Sequence, residues 1–359
     1  MPSLSPSLSP MWKTFSEIDI NAIREEAELT PRLALVGSDA KTSAFQALLQ
    51  RGPRSAEQMV TAIPSYHLPL DSSDLAALAS YDLRIVLLDD PEQARRDDLR
   101  SLLAHSAPIL LVQDPDHVVA LSIDPSVGGQ TAANVRSVAI SLDDKEAVKK
   151  EVLPAILRLL PNHELSAGRA YPGLRPTAAQ KLILNTSKVN AGYAAGTGVA
   201  QMIPGLGIPF AVADMVILTK NQVVMAYRLG MLMGETGTLA EILPKVAAVV
   251  GAGFMWRQVA RELVGFLPLG VALKTAVAYA GTYATGQAVY QYFVTGEKLA
   301  KQDLHQLFDD AMARGRAAAA HTVEQVRPKR EPAALLETSS GKPARKKLKL
   351  PKLGKRQPV

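Results

Sequence analysis

The chain has 359 residues, enough for two domains of ordinary size. Its net charge of +6 belongs to one end, because residues 327 to 359 hold 11 Lys and Arg against 2 Glu. The absence of cysteine excludes disulfides, thiolate metal sites and cysteine nucleophiles, and suits a reducing compartment.

Composition divides the chain into a leader at 1–29, a mixed and charged segment at 30–165, an Ala, Gly, Val and Leu-rich segment at 166–298, a charged helix at 299–326 and a basic tail at 327–359. The leader opens MPSLSPSLSP, a repeat that cannot build a helix and is expected to be partly disordered. It lacks the basic start and apolar stretch of a secretory signal, which predicts that the following domain stays in the cytoplasm.

Arg32 to Val36 forms a short apolar strand candidate that runs into Gly37, and Thr42 to Gln50 follows with helical spacing of Phe45, Leu48 and Leu49. Further strands are predicted at Leu83–Leu88, Pro108–Val112 and Ser137–Ser141, with helices at Gln93–His105 and Lys145–Leu160. Apolar strands alternating with helices predict an α/β domain with a parallel sheet, whose ligands lie at the carboxyl ends of its strands.

The loop after the first strand reads Gly37-Ser38-Asp39-Ala40-Lys41-Thr42. A phosphate-binding loop, G-x-x-x-x-G-K-[ST], uses glycines to turn backbone N–H groups around phosphate, Lys on phosphate and Ser/Thr on magnesium. Here the loop is one residue short, Ala40 replaces the second glycine, and Asp39 brings a carboxylate to the phosphate position. Gly37, Lys41 and Thr42 are the candidate nucleotide-binding residues, weighed against an exposed helix start.

This layout resembles a small GTPase domain related to Era and dynamin-like proteins over roughly residues 30 to 160. The resemblance implies GTP with magnesium as the ligand and GTP hydrolysis if the domain is an enzyme. Gln113-Asp114-Pro115-Asp116 stands where the family's guanine-reading Asn-Lys-x-Asp belongs, Ser141-Leu142 at its Ser-Ala signature, and Arg51 to Asp82 holds no Asp-x-x-Gly. The domain is therefore read as degenerate, with no catalytic residue assigned. Asp89-Asp90 before Pro91 is read as a loop entry, and the six histidines show no metal-ligand spacing.

Two stretches of the later segment lack ionisable side chains, Val189 to Ala213 with 25 residues and Thr275 to Gly296 with 22. Each is nominally long enough for a bilayer at about 1.5 Å per residue. Pro204 to Pro209 breaks the first into a hairpin of Thr177–Ile203 and Phe210–Leu232, with further helices predicted at Ile242–Arg257, Gln258–Leu267 and Leu269–Val294. Ala276, Ala280, Ala284 and Ala288 form a small-residue stripe, and Gly192 and Gly196 a G-x-x-x-G, which predicts close helix packing or homo-oligomer contacts. Asp214, Lys220, Asn221 and Gln222 are polar within apolar helices and predict a hydrogen-bonded network, because an unsatisfied buried group is costly.

The Pro-Gly turn followed by Asp214 to Gln222, then Gly265 to Gly270, Thr282 to Gly286 and Tyr292 to Gly296, is similar to the YcjF-type bacterial family of unknown function. That resemblance covers about residues 170 to 298 and implies a membrane-associated helical domain that accompanies GTPase-like domains. The tail, with Leu interleaved among Lys at 345–353, suits anionic lipid, with nucleic acid as the other polyanion it could hold. By the positive-inside rule, a spanning version places the leading domain and tail on the cytoplasmic face with an even number of spans.

Two architectures are thus expected in series: a GTPase-like parallel sheet with helices, then a hydrophobic helical bundle or hairpin. The expected role is a membrane-associated scaffold or regulator that does not hydrolyse GTP. The alternatives are an active membrane-associated GTPase and a soluble helical protein with a nucleic-acid-binding tail.

Overall fold

The computed structural model describes residues 18–53, 61–88, 97–103, 107–118, 134–201, 207–242, 244–245 and 271–326. Residues up to Val326 belong to one compact unit. The basic tail, the Asp89-Asp90 pair and the helices predicted between Ile242 and Leu267 lie at least in part outside the described residues.

The described chain begins with α1 (Ile20–Glu28), capped by the Asp19 side chain. Then come β1 (Leu33–Val36), α2 (Asp39–Gln50), β2 (Ser65–Tyr66), α3 (Ser72–Leu78), β3 (Leu83–Leu88), α4 (Asp97–Leu103), β4 (Ile109–Gln113) and β5 (Val135–Ala139). The strands form one sheet in the order β2-β1-β3-β4-β5, with every pair parallel. This is a doubly wound order, whose crevice opens where the chain departs from β1 in opposite directions. Helices on both faces explain why all six residues of β3 are buried. Leu33, Leu35, Ile85, Leu87 and Leu110 point to one face and Ala34, Val36, Val86, Leu88 and Leu111 to the other.

The predicted helix after β5 forms as α5 (Lys145–Ala147), a π turn at Val148–Val152 and α6 (Leu153–Leu159). A short α7 (Glu164–Ala170) leads through a 3₁₀ turn, Pro172–Leu174, into α8 (Arg175–Gln201). Next are α9 (Gly207–Leu232), α10 (Val271–Thr295) and α11 (Lys301–Val326). The helix α9 begins earlier than predicted, at Gly207, because Pro209 sits in its first turn, where its missing N–H has no intrahelical acceptor.

One apolar core runs without interruption from the sheet into the bundle, joining Leu35, Phe45 and Ile156 to Leu174, Ile183, Met225 and Phe293. The junction is backbone against backbone. A Cβ on Gly52 would lie 1.9 Å from Pro172 O, and one on Gly173 would lie 2.1 Å from Leu48 O. Buried Tyr171 donates its hydroxyl to Pro31 O at 2.8 Å. Buried Arg175 donates to Pro53 O at 2.5 Å, Gly168 O at 3.2 Å and Arg169 O at 3.3 Å. Arg169 in turn donates to Met231 O and Glu235 O, satisfying carbonyls at the end of α9. Arg24 to Tyr227 and Glu26 to Arg228 bind α1 to α9.

The expected integral placement, on the cytoplasmic face with an even number of spans, does not hold. No helix among the described residues is long and apolar enough to cross a membrane. The 25 residues of α10 have sufficient length, but the helix carries Lys274, and Thr275, Thr282, Thr285, Gln287, Gln291 and four tyrosines keep its uncharged remainder from being apolar. Its alanine stripe packs against protein: Ala276, Ala280, Ala284 and Ala288 are buried. The charged helix α11 lays Phe308, Ala311, Gly315 and Ala319, all buried, along one face, and a Cβ on Gly315 would lie 2.6 Å from Ala276 O. Arg314 stacks over the Tyr283 ring, 5.4 Å from its centroid. By contrast, a Cβ on Gly192, Gly196 or Gly281 would meet nothing within 4 Å.

This contrast sets the sign of two substitutions. Gly281→Ala should raise stability by about 0.5–1 kcal/mol through helix propensity. Gly315→Ala gains the same propensity but forces α11 from α10, at about 1–3 kcal/mol for overpacking, so its denaturation midpoint should fall. Urea titration of the two variants compares them directly.

Burial pushes the Tyr171 hydroxyl well above the ordinary tyrosine value of 10.0. The folded protein thus holds this proton to higher pH than the unfolded chain, and the stability it contributes is complete below pH 10 and lost as pH rises above it. Tyr171→Phe should cost about 1–2 kcal/mol at neutral pH by orphaning Pro31 O. Alkaline unfolding curves of the variant should lack this part of the loss.

Candidate functional site

The crevice expected from the sheet order lies at the carboxyl ends of β1 and β3, where Gly37, Lys41 and Thr42 were placed by sequence. Only Gly37 and Ser38 separate β1 from α2. Gly37 has φ +155°, and a Cβ there would lie 2.7 Å from Leu87 O, so glycine is required by the approach of β3. Its N–H donates to Tyr66 O at 3.0 Å, which spends on the β1–β2 pairing a donor that a phosphate would need. Thr42 is 2 % exposed, and its hydroxyl sits 3.0 Å from Ser38 O and 3.2 Å from Asp39 O as an intrahelical donor. Lys41 is half-buried.

Asp39 is the first residue of α2, where the helix dipole favours a carboxylate. His67, which leaves the carboxyl end of β2, places Nε2 3.3 Å from Asp39 Oδ1 and Nδ1 3.1 Å from Gly37 O. A protein carboxylate and an imidazole therefore meet at the mouth of the loop. In the sequence Asp39 is a carboxylate at the expected phosphate position and His67 is one of six histidines without metal-ligand spacing. Nothing in the spacing of residues 39 and 67 signals their meeting, which the β1–β2 pairing produces.

The residues at the guanine-reading position serve structure. Gln113 is 3 % exposed and donates Nε2 to Ser137 Oγ at 2.8 Å, across the β4–β5 pair. The Asp114 side chain caps the 3₁₀ turn Pro115–His117 by accepting from Asp116 N at 3.0 Å. Ser141 Oγ accepts from Asp143 N at 3.3 Å.

The second predicted set divides. Asn221 donates to Asn190 Oδ1 at 2.7 Å, Asn190 donates to Thr282 Oγ1 at 2.8 Å, and Gln222 reaches Thr282 Oγ1 at 3.4 Å. Thr282 passes its own proton to Ala278 O at 2.8 Å. This chain links α8, α9 and α10 with Asn190 and Thr282 almost fully buried. A second polar layer joins Gln287 to Gln180 at 2.6 Å and Gln180 to Tyr283 at 3.2 Å. Lys220 is half-buried on α9, and the Asp214 side chain lies outside the described residues. Asn190 and Thr282 were not singled out, although each is a polar residue inside an uncharged run.

The fold and these two polar centres define an α/β protein with a doubly wound parallel sheet fused to a helical bundle. No protein-family model, curated protein or solved structure matches the chain.

Removal of Asn190 takes the acceptor from Asn221 Nδ2 and one donor from Thr282 Oγ1, which keeps its bonds to Ala278 O and Gln222. Asn190→Ala should cost about 2 kcal/mol or more, at about 1–3 kcal/mol per orphaned buried group. The triple replacement Asn190→Leu, Asn221→Leu, Thr282→Val should cost less than the sum of the single changes, measured in a thermodynamic cycle.

Proposed function

We propose that the protein is a scaffold or regulator whose α/β half has the layout of a small GTPase domain and has exchanged nucleotide binding for structural contacts. The observation that carries the reading is the Asp39–His67 pair over a two-residue Gly37–Ser38 connection. A triphosphate at that point would meet the Asp39 carboxylate, a loop too short to wrap it, and a Gly37 N–H already donated to Tyr66 O. The interval expected to supply a magnesium aspartate contains β2, and the residue leaving its carboxyl end is His67. Thr42, the candidate magnesium ligand, is buried and turned back on its own helix. The YcjF-like reading of residues 170 to 298 is compatible with this role. The support for a scaffold is the single core that continues from sheet to bundle, because it holds the surfaces of both halves in fixed relation.

The test is fluorescence titration of the full chain with a methylanthraniloyl GTP analogue and magnesium. The expected result is no saturable binding tighter than about 1 mM, which corresponds to about −4 kcal/mol. Tight, magnesium-dependent binding that Lys41→Ala abolishes would sink the reading and establish the rival, an active nucleotide switch.

A further inference from the structure

A groove of about 1070 Å³ opens between the carboxyl half of α2, the helix formed by α5 and α6, and the first half of α8. It lies toward the opposite end of α2 from Gly37 and shares none of the residues of that loop. Its lining carries six cations, Arg51, Lys145, Lys149, Arg158, Lys181 and Lys188, against one carboxylate, Asp143. Glu164 engages Lys181 at 2.5 Å and Glu146 engages Lys149 at 3.0 Å. Arg51, Lys145 and Lys188 are exposed and form no ion pair among the described residues. Beneath these cations, Leu48, Leu142 and Leu184 are half-buried, packed below on the main core and open above to the groove.

We infer that this groove docks an acidic amphipathic helix of a partner protein, with its apolar residues on Leu48, Leu142 and Leu184 and its carboxylates facing the cations on all three walls. A helix seated between helices uses apolar anchors at i, i+3, i+4 and i+7, which matches a leucine floor flanked by charge. Charge complementarity selects the acidic class of helix and steers its approach. A phosphate-sized anion is disfavoured because five of the six cations are exposed and the half-buried sixth, Lys181, is already engaged by Glu164 and Leu157 O. A bilayer is disfavoured by shape, because a flat anionic surface would meet the lysines and leave the leucines below them untouched. The volume also stands at the upper limit of about 1,000 Å³ usual for small-molecule pockets. The inference rests on the scaffold reading and assigns its partner class.

The experiment uses the full chain and a fluorescein-labelled peptide of Leu-Glu-Glu-Leu-Leu-Glu-Glu repeats, followed by anisotropy below the concentration at which the peptide self-associates. The expected result is saturable binding at low salt that weakens as salt rises. Joint replacement Lys145→Glu, Lys149→Glu and Lys188→Glu should weaken it roughly tenfold or more, from three exposed charge contacts. Leu184→Asp should weaken it separately, with circular dichroism showing both variants folded. Absence of saturable binding, equal binding of a Gln-for-Glu peptide, or an unchanged affinity in the charge-reversed variant overturns the proposal. Sedimentation with phosphatidylglycerol vesicles is run alongside: vesicle binding lost on charge reversal, without peptide binding, also overturns it in favour of lipid. The guanine nucleotide titration on the same sample separates the two readings. Failure of the peptide with no GTP binding removes the groove assignment alone, whereas GTP binding removes the degenerate-domain reading.

Discussion

Everything in the described molecule hangs on the approach of two backbone turns, Gly52 beside Pro172 and Gly173 beside Leu48. A side chain at either glycine would need space that the opposing carbonyl already occupies. Glycine therefore sets the distance, and the hydrogen bonds of Tyr171 and Arg175 then fix direction by tying the bundle to Pro31 and Pro53. Both side chains are fully buried, so their polar atoms must find acceptors, and the acceptors are backbone carbonyls from both parts of the chain. With the junction closed, the sheet face and the bundle interior merge into one core. The groove walled by α2, α6 and α8 is a direct product of this closure, since its walls come from both sides of the junction.

The bundle shows how polar groups can populate an uncharged interior. Asn190, Asn221 and Thr282 share donors and acceptors across three helices, so each is satisfied only when the others are in register. Leucines at these positions would pack in several rotations, whereas the hydrogen-bond chain admits one. Retention of such a network for register is a use of buried polarity seen in helical assemblies, at a cost in stability. The same helices gain closeness from alanine and glycine, most sharply where Gly315 meets Ala276.

The crevice of the sheet illustrates a different case, in which a short connection carries an exposed carboxylate–imidazole pair at its mouth. The loop after β1 has two residues, its first N–H is used in pairing, and Asp39 meets His67 at its mouth. Local helix logic explains the placement of Asp39, because a carboxylate is favourable in the first turn of α2. The geometry of the crevice is thus set by the loop length and the pairing with β2.

Much of the architecture was legible because it follows from local periodicity. The strand at Leu83–Leu88 matches the bounds read from the residues and the helix at Lys301–Val326 starts within two residues of them, since an apolar run ended by turn residues and a charged amphipathic repeat leave few alternatives. The helix α1 is not among the predicted elements although Ile20, Ile23 and Ala27 recur at i, i+3 and i+7, and the two paired residues of β2 and the seven-residue α3 and α7 are too short to carry much periodic signal. The greatest departure concerns the membrane. An absence of charge was read as compatibility with lipid, but threonine, glutamine and tyrosine are uncharged and still require hydrogen bonds, so the helices satisfy each other. The sequence by itself determined the longer helices and the central strands, and that Gly37 opens a loop lacking its glycine partner. Only the tertiary structure decided that α11 covers α10, that His67 reaches Asp39, and that Arg51 joins the cations of α5, α6 and α8 around one groove. Those are meetings of residues distant in the chain, and they depend on pairing and packing geometry that no local pattern encodes.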